Sequence, residues 1–238
     1  MAQTRFEEIK GNTERVLANI AAACARAGRS PADVRLLAVT KYSSAQDIAL
    51  LLSTGLIERV GESRVQDVQA KWQSPLLAPL REKVSLHFIG HLQLNKAAKA
   101  AALCDCIDSV DSVKTAQTLA RKAAEAGKTL PVLIQVKLTE SSTQSGASLD
   151  EAPRIVSAVS AMQNITACGY MAIAPAAVDA GQLRSVFGKV RERFLRDFTG
   201  CPVKPILSLG MSGDYEIAVE EGSTLPRIGS ALFAAGQK

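Results

Sequence analysis

Eight short apolar segments, each followed by a longer stretch with helical periodicity, constrain the fold of this chain more than any other feature of its sequence. We predict strands at residues 35–41, 58–61, 85–90, 106–110, 131–138, 165–173, 205–209 and 225–233. Most of these segments are apolar without alternation, which is typical of parallel strands covered on both faces. Helical patterns lie between them, for example at residues 45–52, 114–126 and 183–198. Eight consecutive units favour a single α/β (β/α)8 TIM barrel, with a doubly wound open sheet as the alternative.

The first thirty residues predict an additional helix that packs on the barrel. Six residues recur at three- and four-residue steps and share one helical face: Phe6, Ile9, Thr13, Val16, Ile20 and Cys24. Gly28 and the Ser30-Pro31 pair that follows it are expected to end this helix. No linker or break in composition divides the remainder, so residues 1–238 are predicted to form one barrel domain.

Composition argues against several classes of protein. Aromatic residues make up only 4% of the chain, which disfavours a nucleic-acid surface built on base stacking. No apolar stretch approaches the roughly 20 residues that span a bilayer, so no membrane association is expected. The net charge of +5 is spread over interspersed charges, which predicts a solvated surface with a mild attraction for anions such as phosphates.

The cysteines and histidines predict neither a disulfide framework nor a metal site. Five cysteines are an odd number without framework spacing, and the charged N-terminus lacks an apolar signal region. A cytoplasmic protein with free thiols is therefore expected. His87 and His91 flank a predicted strand, so they are not expected to share a helix face as zinc ligands.

Lys41 stands at the end of the first predicted strand, where barrel active sites lie. A lysine amine that is desolvated there is nucleophilic and can form a Schiff base with a carbonyl group. The alternative is a lysine that only marks the end of the strand and extends into water.

The segments after strands 7 and 8 are rich in small residues, and loops at this position commonly bind phosphate in such barrels. Ser208, Gly210, Ser212 and Gly213 precede a predicted helix, and Asp214 is expected to cap it. Gly229 and Ser230 follow Arg227, which is expected to point inward. A Gly-rich strand-to-helix turn without a ligand is the alternative interpretation.

A Schiff-base lysine, a phosphate cradle and an inward arginine together describe a pocket for pyridoxal 5′-phosphate (PLP). The aldehyde would be attached covalently to Lys41, and the ring nitrogen would face Arg227. A ring nitrogen beside an arginine is not readily protonated, which weakens the ring as an electron sink. The motifs of dinucleotide binding, nucleotide hydrolysis, serine hydrolysis and zinc proteolysis are absent from the sequence.

These residues resemble the pyridoxal phosphate homeostasis protein family. The resemblance runs in order along nearly the whole chain and rests on Ala38-Val39-Thr40-Lys41, Gly61-Glu62, residues 87–96, Ser145-Gly146 and residues 211–230. It implies a barrel like that of alanine racemase that carries PLP on Lys41 and takes part in the cellular supply of the cofactor. It also implies that Ser208, Gly210, Ser212, Gly229 and Ser230 hold the phosphate, and that Met171 and His91 lie near the cofactor or the mouth of the barrel.

Three positions depart from the family pattern. Ser63 replaces the asparagine that usually follows Gly-Glu, which puts a contact with the ring hydroxyl in doubt. Gln144 stands where the family often has lysine, and Lys137 replaces a usual asparagine. The last two changes concern a secondary phosphate-binding or partner-facing surface.

The resemblance favours a protein that stores, buffers or delivers PLP without evident catalytic activity. Its expected partners are PLP and apo forms of PLP-dependent enzymes, and a monomer is expected. A PLP-dependent racemase-like enzyme is the alternative, with His91, Tyr170 or Tyr215 as its second base. The chain ends shortly after strand 8, and the absence of a second domain argues against full racemase activity. A class I aldolase-like barrel that binds a sugar phosphate on Lys41 is a third possibility.

Overall fold

Eight parallel strands and their connecting helices form a nearly closed barrel. The computed structural model describes residues 2–138, 145–175, 179–201 and 204–235. The strands are β1 Leu37–Val39, β2 Arg59–Glu62, β3 Ser85–Phe88, β4 Cys106–Val110, β5 Leu130–Val136, β6 Ile165–Ala172, β7 Ile206–Ser208 and β8 Arg227–Ile228. They pair in parallel in the order β7-β6-β5-β4-β3-β2-β1-β8. The eight predicted strand positions are therefore confirmed in order and type.

The described helices follow the strands as the periodicity predicts. They are α1 Ala2–Arg26, α2 Ala45–Ser53, α3 Val65–Trp72, α4 Ala97–Leu103, α5 Val113–Glu125, α6 Ala152–Ser160, α7 Ala180–Asp197, α8 Tyr215–Glu220 and α9 Ser230–Phe233. Short 3-10 helices occur at Pro31–Asp33, Ala78–Lys83 and Leu94–Lys96. None of the helices in the described ranges is long and apolar enough to cross a membrane.

Helix α1 has the buried face that its spacing predicts. Ile9, Val16, Ile20 and Cys24 are buried, and the helix packs against α2, α8 and α9. Gly28 ends it in a left-handed conformation with φ of 62°. The N–H of Gly28 donates to Ala25 O and that of Arg29 donates to Cys24 O, which is the hydrogen-bond pattern of a Schellman cap.

The predicted extent of the last strand is wrong at its C-terminal end. β8 stops at Ile228, and the chain turns at Gly229 into the short helix α9. Side chains of α1 fix this turn, because Asn12 Nδ2 donates to the carbonyl oxygens of Leu232 and Ala234 at 3.2 and 2.9 Å. These bonds span more than 200 residues of sequence, so local pattern could not reveal them.

No regular ladder joins β7 and β8 among the described strands, and the barrel closes there through individual backbone and side-chain hydrogen bonds. The N–H groups of Thr224 and Leu225 donate to Leu207 O at 2.8 and 3.2 Å, and that of Arg227 donates to Gly210 O at 3.0 Å. The hydroxyl of Ser223 donates to Leu209 O at 2.7 Å, and that of Ser208 donates to Leu225 O at 2.9 Å. The guanidinium of Arg227 donates to Ser208 O at 2.7 Å. We call this contact between residues 206–210 and 223–228 the β7–β8 seam.

The core has two parts on opposite faces of the sheet. The larger part lies between strands and helices and includes Phe88, Ile107 and Phe187. A smaller cluster of Cys106, Leu133 and Met171 comes from alternate positions of β4, β5 and β6 and fills the barrel interior. This interior cluster supports the strand ends at which the candidate site lies.

Candidate functional site

A cavity of about 740 Å³ opens at the C-terminal ends of the strands, on the side of β1 and β8. Six of the nine predicted site residues line it: Lys41, Ser63, Ser212, Arg227, Gly229 and Ser230. Apolar walls come from Val39, Ile89 and Ile173. A concave, partly apolar pocket with a few convergent polar groups is the usual form of a small-molecule site.

Lys41 lies at the mouth of this cavity, two residues after the end of β1. Its ammonium nitrogen is 5.0 Å from the ring centroid of Tyr42, which is 85% exposed. Lys41 makes no ion pair with any residue of the described ranges. The amine is therefore not committed to a carboxylate and remains able to meet a carbonyl group of a ligand.

A buried polar network fixes the backbone immediately before Lys41. Glu62 is fully buried, and its Oε1 accepts hydrogen bonds from Thr40 Oγ1 at 2.7 Å and from Lys71 Nζ at 3.1 Å. Lys71 also donates to Thr40 O at 2.7 Å. Burial raises the pKa of Glu62, and its hydrogen bond with Thr40 and the charge of Lys71 oppose that rise. The network therefore ties β1, β2 and α3 together behind the cavity.

Replacing Lys71 by methionine is expected to lower the free energy of unfolding by about 3 kcal/mol, because it leaves the Glu62 carboxylate buried without its ion partner. The Arg196–Glu192 pair offers a control, since both side chains are about two thirds exposed. Arg196→Ala should cost less than about 0.5 kcal/mol. Urea denaturation of both variants measures the difference. Equal losses of unfolding free energy in the two variants would show that the buried network stabilises the fold no more than a surface ion pair does.

Arg227 reaches the cavity from the barrel interior, as predicted. It donates to Ser208 O at 2.7 Å, to Ser208 Oγ at 2.9 Å and to Ala172 O at 2.8 Å. Burial lowers the pKa of Arg227 to about 10. A guanidinium has five N–H groups, so two of them have no partner among the described residues. These donors can meet an acceptor in the cavity.

Two segments at the cavity wall present unpaired backbone donors. The N–H groups of Ser212, Gly213 and Ser230 have no partner in the described part of the chain. Helices α8 and α9 have only six and four residues, so individual N–H donors, and not a helix dipole, are what this wall offers to an anion. Asp214 is the N-cap residue of α8, as predicted, but its side chain makes no cap bond to the helix and instead accepts from Met211 N–H at 2.6 Å.

Three predicted site residues do not line the cavity. Ser208 is fully buried and its hydroxyl bonds to Leu225 O and Arg227, so it orients the arginine. Gly210 has φ of 88°, and a Cβ there would lie 2.6 Å from Ala218 Cβ, so glycine allows α8 to pack closely. Met171 is fully buried in the interior cluster. All three therefore lie behind the cavity wall.

The residues considered as a second base lie away from the cavity or at its edge. The hydroxyl of Tyr170 donates to Asp197 in the buried contact with α7, and burial raises the pKa of Tyr170. The Tyr215 hydroxyl accepts from Asn19 Nδ2 at 3.0 Å beneath α1. His91 lines a smaller neighbouring pocket of about 230 Å³, which shares Ser63 with the cavity.

Lys137, which departs from the family pattern, lies outside the cavity wall. Lys137 follows β5, and its N–H donates to Ala147 O at 2.9 Å; it is not part of the cavity wall. Gln144 lies outside the described residues. Of the two departures that the structure describes, Ser63 lines the cavity.

The sequence did not identify Arg5, Tyr42 or Asp47 as cavity residues. Arg5 on α1 donates to Asp47 on α2 at 3.1 and 3.0 Å and to Phe233 O at 2.9 Å. A charged residue at the polar edge of a helix carries no local signal of such a contact. Tyr42 could have been predicted as a cavity residue, because it directly follows Lys41 at the end of the first strand.

Comparison with known proteins agrees with this geometry. A family model for the alanine racemase N-terminal domain matches residues 12–236. The pyridoxal phosphate homeostasis protein of Pseudomonas aeruginosa is 34% identical over 227 residues, which cover 95% of each chain.

Solved structures give the same result for the fold. PipY of Synechococcus elongatus PCC7942, with PLP bound, is 33% identical with a TM-score of 0.77, and the match covers 90% of this chain and 100% of PipY. Alanine racemase of Clostridium difficile 630 shares the fold alone, at 14% identity and a TM-score of 0.73, over 96% of this chain and 57% of the racemase. The chain thus belongs to the family of the pyridoxal phosphate homeostasis proteins, whose barrel is that of the alanine racemase N-terminal domain.

Proposed function

We propose that this protein binds PLP covalently, as a Schiff base on Nζ of Lys41, and that it stores, buffers or delivers the cofactor. The observation that carries the proposal is the convergence on one cavity of Lys41, Arg227 and backbone donors that have no hydrogen-bond partner within the described part of the chain. The PLP-bound structure of PipY supports it, because PipY is 33% identical over nearly its whole length.

Each part of the cofactor has a matching group on the cavity wall. We assign the aldehyde to Lys41, the phosphate to Ser212, Gly229 and Ser230 with the N–H of Gly213, and the ring nitrogen to Arg227. When bound, PLP would supply a carbonyl carbon for the lysine amine and a π-system for withdrawing electrons. Arg227 keeps the ring nitrogen unprotonated, so withdrawal is weak. Ser63 lies at the cavity but is too short to replace the amide of asparagine fully.

The position of the charged and hydroxyl groups favours a carrier over an enzyme. Racemisation needs acid–base groups on both faces of the substrate's α-carbon. Tyr170 and Tyr215 are buried outside the cavity, and His91 faces the neighbouring pocket. The names of the curated relatives agree with a role in homeostasis.

The setting and partners follow from the same properties. All five cysteines are free thiols, which fits a reducing compartment, and we propose the cytoplasm. We propose a monomer built as one barrel domain with α1 on its flank, and apo PLP-dependent enzymes as recipients. Size-exclusion chromatography with light scattering checks the monomer.

The first experiment is the visible spectrum of the purified protein, followed by borohydride reduction and peptide mapping. Borohydride adds hydride to the C=N bond and leaves a stable amine on the lysine. We expect an imine band that disappears on reduction and a pyridoxyl group on the peptide that contains Lys41. A colourless protein that also fails to take up added PLP would discard the proposal and favour a sugar-phosphate-binding barrel.

A further inference from the structure

Three side chains that are suitable metal ligands meet inside the barrel on β3 and β4. His87 lies opposite Cys106 in the β3–β4 register, and Asp108 follows two residues later on the same face. All three are buried, and their ligand atoms lie within 4.8 Å of one another. Imidazole, thiolate and carboxylate are the ligand types that Zn²⁺ takes in proteins.

The carboxylate of Asp108 is only partly satisfied by its neighbours. Its Oδ1 lies 2.8 Å from His87 Nδ1. Its Oδ2 is buried and has no hydrogen-bond partner among the described residues. A buried carboxylate oxygen without a partner is costly, and an ion or an ordered water is the usual reason that one persists.

We propose that His87, Cys106 and Asp108 form a buried zinc-binding site in the barrel interior, with a fourth position open to water. Zinc–ligand bonds of about 2.0–2.3 Å place ligand atoms within about 4 Å of one another, so small side-chain rotations complete the geometry. The orphan Oδ2 of Asp108 would become a ligand atom.

Proton and charge balance are simple for this site. The ligand from Cys106 would be its thiolate, because the thiolate and not the thiol binds metal ions. On binding, the S–H bond breaks, an Sγ–Zn bond forms, and one proton leaves to solvent. The thiolate and the Asp108 carboxylate would then balance the two positive charges of the ion.

The proposed zinc site lies deeper in the barrel than the cavity. Ile89 lines the cavity, and His87 stands two residues earlier on the same face, one layer deeper in the barrel. The zinc site does not depend on the proposed cofactor function, because none of its three ligands lies in the cavity wall.

The sequence predicted no metal site because the spacing of the cysteines and the positions of the two histidines were each considered separately. The structure separates them, since His91 is exposed and His87 is buried. The signal in the sequence is the Cys-x-Asp pair on β4, which lies beside β3 with its histidine. Spacing alone does not reveal it, because the register between the two strands must also be known.

Cobalt(II) is the probe, because it occupies zinc sites and has visible bands and a near-ultraviolet charge-transfer band with thiolate. Reduced, metal-free protein should bind about one Co²⁺ per chain with this charge-transfer band and release one proton, and Zn²⁺ should displace the cobalt. Cys106→Ser and Asp108→Asn should each weaken binding at least about a hundredfold, since even outer-shell changes cost 10–100-fold.

Cys104→Ala is the matched control, because Cys104 is equally buried but packs in the outer core, outside the cluster. It should bind Co²⁺ like the unaltered protein. Partly exposed Cys168 and Cys201 could give a spurious band, which would persist in Cys106→Ser. Absence of the band in the unaltered protein, its persistence in Cys106→Ser, or unchanged affinity in Asp108→Asn would each overturn the site. If Asp108→Asn does not fold, Cys106→Ser alone decides.

Discussion

Replacing Lys41 by alanine is expected to abolish the imine absorption and the borohydride-trapped pyridoxyl group, while the free energy of unfolding changes by less than about 0.5 kcal/mol. Lys41 is only half-buried and forms no ion pair within the described ranges. Its side chain therefore contributes little packing. Absorption spectra after addition of PLP, with urea denaturation of the same samples, measure both effects.

Lys96 provides the matched control for this prediction. It is also a half-buried lysine at the mouth of the barrel, but it lines the smaller pocket that holds His91. Lys96→Ala should retain the imine band at full intensity. An imine band that survives in Lys41→Ala, or disappears in Lys96→Ala, would contradict the assignment of the attachment to Lys41.

Replacing Arg227 by glutamine is expected to lower the free energy of unfolding by about 2–4 kcal/mol, because buried carbonyl oxygens of Ser208 and Ala172 lose their charged donor. PLP affinity should fall at least tenfold, which corresponds to about 1.4 kcal/mol. The imine spectrum should shift as well, since the ring nitrogen would face a neutral amide. Denaturation, PLP titration and absorption spectra report the three changes.

Arg29 separates the effect on stability from the effect on the ligand. Burial lowers the pKa of Arg29, as it does that of Arg227. Arg29 donates to the backbone oxygens of Val219 and Ser223, but it does not line the cavity. Arg29→Gln should destabilise the protein and leave PLP affinity and spectrum unchanged. If Arg227→Gln does not fold, Arg227→Lys keeps the charge and tests the ligand contact. Unchanged affinity and spectrum in either Arg227 variant would contradict its role beside the ring.

The sequence predicted the parts of the site that follow directly from strand ends. Lys41 and Arg227 lie where strand position and inward spacing predict, because barrel topology brings strand ends to one mouth. Ser208 shows the limit of that reasoning. A small polar residue at a strand end can meet either a ligand or a neighbouring strand, and here the neighbour is Arg227.

The fold was predictable where local pattern is strong and unpredictable where distant contacts decide. The buried face of α1 follows from spacing that remains in register over several turns. The turn at Gly229 depends on bonds from Asn12, and Arg5 enters the cavity through a contact with Asp47, 42 residues away. No single window of sequence contains either contact.

The β7–β8 seam makes ligand loading and barrel closure parts of one equilibrium. Strands elsewhere in the sheet are held by regular ladders, whereas this seam is held by a few individual backbone hydrogen bonds and by side-chain bonds of Ser208, Ser223 and Arg227. A contact with fewer backbone bonds is expected to open at a lower free-energy cost than the rest of the sheet. Arg227 belongs both to the seam and to the cavity wall. A ligand that binds Arg227 therefore stabilises the closed state, by about 2.7 kcal/mol at a hundred times its dissociation constant. The same thermodynamic coupling acts in reverse. A partner that binds the separated seam lowers the affinity for the ligand by the same factor by which the ligand lowers the affinity for the partner, and so promotes release of the ligand.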